Sequence, residues 1–316
     1  MTAALVLDWH RTGQLRLPLP GSGHTVKRWR RLAELTAIDV VAGRLAEAHA
    51  DALAILTELE GPASDQDGLW GVWAAEAPDA VVRARSAGDA IVLDGTKAWC
   101  SGAGLCTHAL VTARLDDGRG GLFTVDLRGD AVQPLESAWR NAGMAESDTR
   151  AVQFTDAPAI PVGQPDDYLT RPGFWFGAVG VAACWLGGAR AVAAPLYRRA
   201  ADGGADDHHL AHLGAVDAAL AAAESALAVA ADYVDEDPHN LSGSAELIAR
   251  RTRAIVENTV DEVLARTDRA LGPGPLCSDE RHARAVADLT VYVRQSHAER
   301  DLAALGLLAA EHHADG

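Results

Sequence analysis

The sequence has few cysteines, few aromatic residues and too little positive charge to balance its negative charge. Its 316 residues include four cysteines, 5% aromatic residues, and 28 Lys and Arg against 44 Asp and Glu, which gives a formal net charge of −16 at pH 7. The cysteines lack the paired spacing of a metal site and fit reduced thiols better than a disulfide framework. The excess of negative charge argues against nucleic acid or an anionic membrane as the main partner.

Signals for export or membrane insertion are also missing. The apolar start at Met1–Leu7 has no basic residue before it, and the apolar run Phe174–Leu186 is only 13 residues long. A run of that length is too short to span a bilayer as a helix and indicates a buried core helix. We therefore expect a cytoplasmic protein that contacts neither membrane nor nucleic acid.

The period of the apolar residues changes twice along the chain. After an irregular start over residues 1–24, it indicates helix from Thr25 to about Leu59, broken near Gly43; residues 69–160 contain short segments separated by Gly, Asp and Pro. Helical spacing then returns in four stretches: Gly173–Arg199, Asp206–Asp235, Ala245–Leu271 and about Asp279–His312. We predict an α+β fold with a shortened N-terminal helical region (1–66), a central antiparallel β-sandwich or barrel (67–168) and a C-terminal four-helix bundle (169–316).

The stretch Ala90–Gly104 carries the first candidate site. Asp94-Gly95 predicts a hairpin turn between two strands. In the second strand, alternation places Lys97, Trp99 and Ser101 on one face and Ala98 and Cys100 on the other. A flat indole beside a hydroxyl and free backbone N–H groups suits a planar, hydrogen-bonding cofactor, although an ordinary hairpin with a half-buried Trp has the same pattern.

Leu93-Asp-Gly-Thr-Lys-Ala-Trp-Cys-Ser-Gly-Ala103 resembles the cofactor-facing hairpin of the acyl-CoA dehydrogenase family. The resemblance implies FAD as cofactor, with Trp99 over the isoalloxazine, Cys100 beside it and Ser101 hydrogen-bonded near N5. Trp70–Glu76 is similar to the strand of that family that ends in Thr-Glu-Pro, and implies ring contacts near Trp73 and Ala75, with Ala75 in place of the Thr.

The resemblance also has implications for the residues that contact the cofactor's phosphates and for the oligomeric state. Arg269-Ala-Leu-Gly272-Pro-Gly274 stands where the family places a Gly-rich turn, so Arg269, Gly272 and Gly274 are candidates for the FAD diphosphate; a helix stop explains the same residues. Because that turn comes from a neighbouring subunit in the family, we expect a homodimer or homotetramer, with a hetero-oligomer as the alternative.

The base that the family's reaction needs is not where the resemblance predicts it. Asp288-Leu-Thr-Val-Tyr292 aligns so that the usual Glu falls on Ser296, and the second position used in the family, at the front of the first C-terminal helix, has no carboxylate. Glu299 or His297 could act as a relocated base. Alternatively, His297 belongs to a flavin monooxygenase of the same fold, or the chain is a degenerate partner subunit; a solvated helix face explains His297–Asp301 as well.

We therefore predict an acyl-CoA dehydrogenase-like flavoprotein. The expected reaction is α,β-dehydrogenation of an acyl thioester, carried by CoA or an acyl carrier, with an electron-transfer acceptor as partner. The monooxygenase and the partner subunit are the alternatives, and no metal site is expected.

Overall fold

The computed structural model describes residues 1–63, 67–88 and 90–314, and its mixed α+β composition agrees with the predicted class. The α-helices are α1 (Thr2–Arg11), α2 (Thr25–Ile38), α3 (Val40–Glu58), α4 (Asp167–Thr170), α5 (Pro172–Ala201), α6 (Asp207–Glu236), α7 (Ala245–Leu271), α8 (Pro273–Ser278), α9 (Glu280–Tyr292) and α10 (Glu299–Ala314). The strands are β1 (Trp70–Trp73), β2 (Val82–Ala87), β3 (Ala90–Cys100), β4 (His108–Arg114), β5 (Gly120–Asp126), β6 (Val132–Pro134) and β7 (Arg150–Pro161).

The chain divides into two compact units. Unit 1 comprises Met1–Leu17, Leu45–Asn141 and Ala145–Phe174, and contains all seven of these strands. Unit 2 comprises Pro18–Arg44, Ala142–Met144 and Trp175–Gly316, and is helical in its described part.

The strands of unit 1 form a barrel. Pairing runs β4–β2–β3–β7–β5 and returns from β5 to β4, so these five strands close a ring; β1 adds to β4, and β6 adds to β7. Apolar side chains from these strands, including Leu93, Val111, Phe123 and Phe154, are buried together in the core. This arrangement agrees with the barrel alternative of the sequence prediction.

The predicted hairpin turn at Asp94-Gly95 is wrong. β3 is one continuous strand, in which Asp94 pairs with Arg83 and Gly95 pairs with Val82 of β2. Gly95 has φ +116, the pairing with β7 shifts there, and a Cβ at this position would lie 2.2 Å from the Val81 carbonyl oxygen. The Asp-Gly pair therefore makes a β-bulge in the middle of the strand, where glycine permits close backbone approach.

The helix boundaries differ from the prediction at three places. Residues 2–11, expected to be irregular, form α1; Trp9 and Val6 on this helix are buried. The long N-terminal helix breaks at Asp39, which is extended and accepts a hydrogen bond from the Ala42 amide, so the break is not at Gly43.

The third difference is in the last predicted helix. Ser296 is extended and Ala298 has φ +47, so the stretch predicted as one helix from Asp279 is divided into α9 and α10. By contrast, α7 has the predicted bounds and ends at Gly272, whose φ is +64. Apolar residues at helical spacing therefore located α7 well, whereas breaks caused by single residues were missed.

Two helices are long and apolar enough to cross a membrane by length and composition. They are α5, with 72% of its most apolar window buried inside the protein, and α6, with 28%. A mostly buried apolar helix is what a core helix of a water-soluble protein looks like, which fits α5.

Candidate functional site

Trp99 presents its ring on the surface of unit 1. Its backbone has φ +60 and the register with β7 shifts between Lys97 and Cys100, so the strand's alternation fails here. As a result the indole is 61% exposed, and it meets Trp139 edge to face with ring centroids 6.5 Å apart. A positive φ is rare for a bulky residue and persists only where the surrounding structure supports it.

The predicted shared face of Lys97 and Trp99 is wrong for the same reason. Lys97 is 3% exposed and donates to the Thr112 carbonyl oxygen at 3.0 Å and to Thr112 Oγ1 at 2.7 Å. Burial lowers the pKa of Lys97 from its ordinary value, although the nearby Glu76 carboxylate opposes this. Lys97 thus belongs to the barrel interior and Trp99 to the surface.

A line of hydroxyl groups begins at Ser101, two residues after Trp99. Ser101 Oγ is 2.9 Å from Thr149 Oγ1, which is 2.7 Å from Ser147 Oγ. The Ser101 carbonyl oxygen accepts a hydrogen bond from Trp73 Nε1 at 3.0 Å. Ser147 and Thr149 were missed by sequence reasoning; the only signal was two hydroxyl residues spaced two apart immediately before β7.

Three other predicted cofactor contacts differ in exposure. Cys100 is fully buried in the barrel core, where burial raises the pKa of its thiol to about 12, so only its backbone remains available. Trp73 is 2% exposed, and its Nε1 donates a hydrogen bond to the Ser101 carbonyl oxygen, whereas Ala75, just beyond β1, is exposed. Their contact with a cofactor stays a prediction.

Ser296, where the resemblance predicts a catalytic carboxylate, contacts a carboxylate from another helix of unit 2. Ser296 Oγ donates to Glu257 Oε2 at 2.5 Å, and the Glu257 side chain on α7 is 12% exposed. Arg294 Nη1 lies 3.3 Å from Glu257 Oε1. Glu257 was missed because the break before α10, which brings residue 296 to α7, has no clear signal in the sequence.

The two predicted bases near the start of α10 are both exposed. His297 Nδ1 lies 3.7 Å from Asp301 Oδ2, and the same oxygen accepts the His297 backbone N–H at 3.0 Å. Burial works against ionisation of Asp301, but this hydrogen bond and the positive charges of His297, Arg253 and Arg250 lower the pKa of Asp301 below its ordinary value. A carboxylate is therefore held beside one ring nitrogen of His297, while Glu299 occupies the first turn of the helix.

The second empty base position also has a carboxylate supplied by another helix. Glu58, the last residue of α3, accepts the Gly173 amide at 2.8 Å and the Arg171 guanidinium at 2.6 Å. The side chain of Arg171 is 4% exposed. Because one of its oxygens accepts the Gly173 amide and the other the Arg171 guanidinium, Glu58 serves as a cap at the start of α5.

The candidate phosphate contacts act mainly as a helix end. Gly272 closes α7 by donating its N–H to the Asp268 carbonyl oxygen, and Arg269 Nε donates to the Ala265 carbonyl oxygen at 3.1 Å. Gly274 is exposed in α8. In the described part of the chain no group of three or more His, Cys, Asp or Glu is placed to hold a metal ion.

Comparisons with known proteins show the fold but no family. No family model matches the chain, and no curated protein matches it. Among solved structures, the chain is similar to TdsC from Paenibacillus sp. A11-2 in complex with FMN and indole (20% identity, 90% of this chain and 84% of TdsC covered, TM-score 0.77).

Two further similar structures are those of KijD3 and of a nitrososynthase. KijD3, bound to FMN and a dTDP-linked amino keto sugar, has 17% identity, covers 96% of this chain and 85% of its own, and has a TM-score of 0.78. The nitrososynthase from Micromonospora carbonacea var. africana has 19% identity, covers 96% of this chain and 88% of its own, and has a TM-score of 0.77. The chain therefore shares the fold of these proteins, which is the acyl-CoA dehydrogenase fold that the resemblance implies.

Proposed function

We propose that the protein is a flavin-dependent monooxygenase that uses reduced FMN and oxygen. One observation carries this proposal: the chain has serine where the dehydrogenases of this fold have their carboxylate base, followed directly by the His297–Asp301 pair. Oxygenation by reduced flavin needs no base that removes an α-proton. TdsC, whose solved structures include one described as a dibenzothiophene monooxygenase, supports the choice.

The residues of unit 1 suit a flavin ring. Trp99 offers a mostly exposed indole that meets Trp139 edge to face, and Ser101, two residues further along the chain, offers a hydroxyl. Flat aromatic side chains contact planar ligands with little loss of side-chain freedom. When bound, the flavin would supply the electrons that activate oxygen.

FMN fits this chain better than the FAD predicted from the sequence. FAD adds a diphosphate and an adenine, which need cations and free backbone N–H groups. Arg269 Nε and the Gly272 N–H already donate to carbonyl oxygens at the end of α7, and Gly274 belongs to the first turn of α8. FMN has neither the diphosphate nor the adenine, so its binding does not require contacts from this turn.

His297 would hold or move a proton in the reaction. The Asp301 carboxylate lies 3.7 Å from Nδ1, so Nε2 is the ring nitrogen that faces away from this pair and would exchange a proton with a substrate. Its exposure leaves the ring accessible.

Dehydrogenation of an acyl thioester is the second candidate, because Glu257 brings a mostly buried carboxylate to Ser296. In this case Glu257 would remove the α-proton and Ser296 would orient it. An acyl-CoA and an electron-transfer acceptor would then be the partners.

One preparation of the protein distinguishes the two reactions. In the first arm, FMN reduced with dithionite is mixed with protein, oxygen and indole as probe, and oxygenated product is measured by mass spectrometry. In the second arm, protein with oxidised flavin is mixed anaerobically with a panel of acyl-CoA thioesters, and bleaching of the flavin is followed. We expect oxygenated product in the first arm and no flavin bleaching in the second. Bleaching in the second arm without product in the first would contradict the monooxygenase and support the dehydrogenase.

Two variants assign the proton carrier. His297→Asn should lower product formation about a hundredfold, the usual loss for a general acid or base, while Glu257→Gln should change it less than threefold. If the protein is a dehydrogenase, Glu257→Gln should instead lower the rate of flavin bleaching more than His297→Asn does. Far-ultraviolet circular dichroism checks that both variants are folded.

A further inference from the structure

Arg253 on α7 is a half-buried cation in a strongly acidic protein. Its Cζ lies 4.5 Å from the centroid of the Trp185 ring, and its Nη1 donates to the Ala178 carbonyl oxygen at 2.7 Å. Among the described residues, no carboxylate oxygen lies within 4 Å of its side-chain nitrogens. The chain has 44 Asp and Glu against 28 Lys and Arg, so an arginine without a carboxylate needs a reason.

The carboxylates whose charges act on Arg253 are those of Asp301 and Glu257, and each is already paired with another arginine. Asp301 Oδ1 lies 3.6 Å from Arg250 Nη1, and Glu257 Oε1 lies 3.3 Å from Arg294 Nη1. Burial lowers the pKa of Arg253 below its ordinary value, and the charges of Asp301 and Glu257 oppose this only in part. Arg253 is therefore a partly desolvated charge that no carboxylate of the described chain neutralises by direct contact.

The N–H groups that remain on Arg253 form a fork. Nη1 is used by the Ala178 carbonyl oxygen, so the edge of the guanidinium formed by Nε and Nη2 is left for another acceptor. The two N–H groups on this edge are parallel and match the two oxygens of a carboxylate or a phosphate. A neutral amide offers one oxygen and an amine none. The fork therefore suits an oxyanion.

Arg253 lies between the contacts that α7 makes with segment 296–301. Positions 250, 253 and 257 share one face of the helix because they are three and four residues apart. Arg250 contacts the end of the segment, and Glu257 contacts its beginning. The proton carrier His297 belongs to that segment, so a ligand held at Arg253 would lie beside the part of the chain that carries it.

We propose that Arg253 binds a carboxylate of the substrate, so that the protein oxygenates organic acids. The carboxylate would accept one hydrogen bond from Nε and one from Nη2. This inference rests on the proposed function, because it takes the ligand to be the molecule with which His297 exchanges a proton. The phosphate of FMN is the other oxyanion that the fork could accept; the contacts of α7 with the segment of His297 favour the substrate.

Binding of matched acids and amides to the purified protein tests the proposal. Benzoate and benzamide, and indole-3-acetate and indole-3-acetamide, are titrated at pH 7 by isothermal titration calorimetry into wild type, Arg253→Gln and Arg253→Lys. We expect wild type to bind the acids about ten- to a hundredfold more tightly than the amides, the range for hydrogen bonds to a charged group. Arg253→Gln should lose this preference. Arg253→Lys should keep part of it, because lysine keeps the charge but not the fork.

Arg251 provides the matched control, because it is the exposed neighbour of Arg253 on the same helix. Arg251→Gln removes the same charge and should keep the preference of wild type. An equal loss in Arg251→Gln and Arg253→Gln would mean that net charge alone decides, and would overturn the inference. Equal affinity of wild type for acids and amides, or no binding of either acid, would also overturn it, whether or not Arg253→Gln folds.

Titration with FMN and riboflavin distinguishes the two oxyanions. We expect the ratio of their affinities to be the same in wild type and Arg253→Gln. If Arg253→Gln weakens FMN and leaves riboflavin unchanged, the phosphate of the cofactor is the bound anion and the inference is wrong.

The assay with reduced FMN, oxygen and indole separates this inference from the proposed function. Oxygenated indole together with equal binding of acids and amides removes the inference and leaves the proposed function. A preference for acids that depends on Arg253, without oxygenated product from indole or from indole-3-acetate, contradicts the proposed function and leaves Arg253 as a carboxylate site.

Discussion

His49 is a buried imidazole that must stay neutral for unit 1 to keep its structure. It is 4% exposed, and its Nδ1 accepts the Trp70 backbone N–H at 3.2 Å, so this nitrogen cannot carry a proton. Its ring also meets His10 edge to face, with centroids 5.0 Å apart. Burial, and next the charge of His10, lower the pKa of His49 to about 3.

This residue predicts a specific loss of stability in acid. Between the ordinary pKa of 6.5 and about 3, the unfolded chain binds a proton at His49 that the folded chain does not, so the free energy of unfolding falls as pH falls. The slope from one proton approaches about 1.4 kcal/mol per pH unit. In His49→Gln, which keeps an acceptor but does not titrate, urea unfolding at several pH values should show a shallower slope.

An exposed histidine provides the control for this prediction. His208 on α6 is exposed, and His208→Gln removes one imidazole without changing a buried one. Its slope should match that of wild type. Equal slopes in wild type and His49→Gln would mean that the buried imidazole does not contribute to acid unfolding.

At the scale of elements, α5 packs closely on α2 because one residue has no side chain. A Cβ added at Gly187 would lie 2.2 Å from the Ala33 carbonyl oxygen, which is backbone and cannot rotate away. Gly187 and Ala33 both belong to unit 2. Glycine inside a helix is unfavourable by roughly 0.5–1 kcal/mol relative to alanine, so its presence here indicates a packing requirement.

The packing requirement predicts opposite effects of the same substitution at two helical glycines. Gly187→Ala should lower the free energy of unfolding by about 1–3 kcal/mol, because the helices must move apart. Gly214→Ala on α6, where the added methyl meets nothing within 4 Å, should raise it by up to about 1 kcal/mol. Both values come from denaturant unfolding, and a stabilised Gly187→Ala would show that the two helices are not in close contact.

Elements with a strong period were predictable from the sequence, and elements decided by one residue were not. The bounds of α7 follow from its apolar stripe and Gly272. The Asp94-Gly95 pair fits a turn equally well as a bulge, and only pairing with β2 and β7 decides between them. The same holds for the break at Asp39, where the extended backbone depends on the cap that it gives to α3.

At the scale of the whole molecule, the fold could be predicted from the order of helices and strands along the chain, although no family model matches the sequence. Trp99 and Ser101 could be singled out from the sequence, because a flat ring and a hydroxyl adjoin a glycine-rich exit. Thr149 and Glu257 could not, because their partners Ser101 and Ser296 are 48 and 39 residues away along the chain and meet them only in the folded protein. The boundaries at 66 and 168, the cytoplasmic location and the homodimer or homotetramer stay predictions, and residue 66 lies outside the described residues.

The account as a whole depends on the Trp99 surface binding a flavin. The most direct measurement is titration of the purified chain with FMN, followed by flavin fluorescence, for wild type, Trp99→Ala and Leu169→Ala; Leu169 is an equally exposed apolar side chain of unit 1, at 60%. We predict saturable binding to wild type, about three- to tenfold weaker binding to Trp99→Ala through loss of the ring contact, and no change in Leu169→Ala. Equal affinity of wild type and Trp99→Ala would contradict the account.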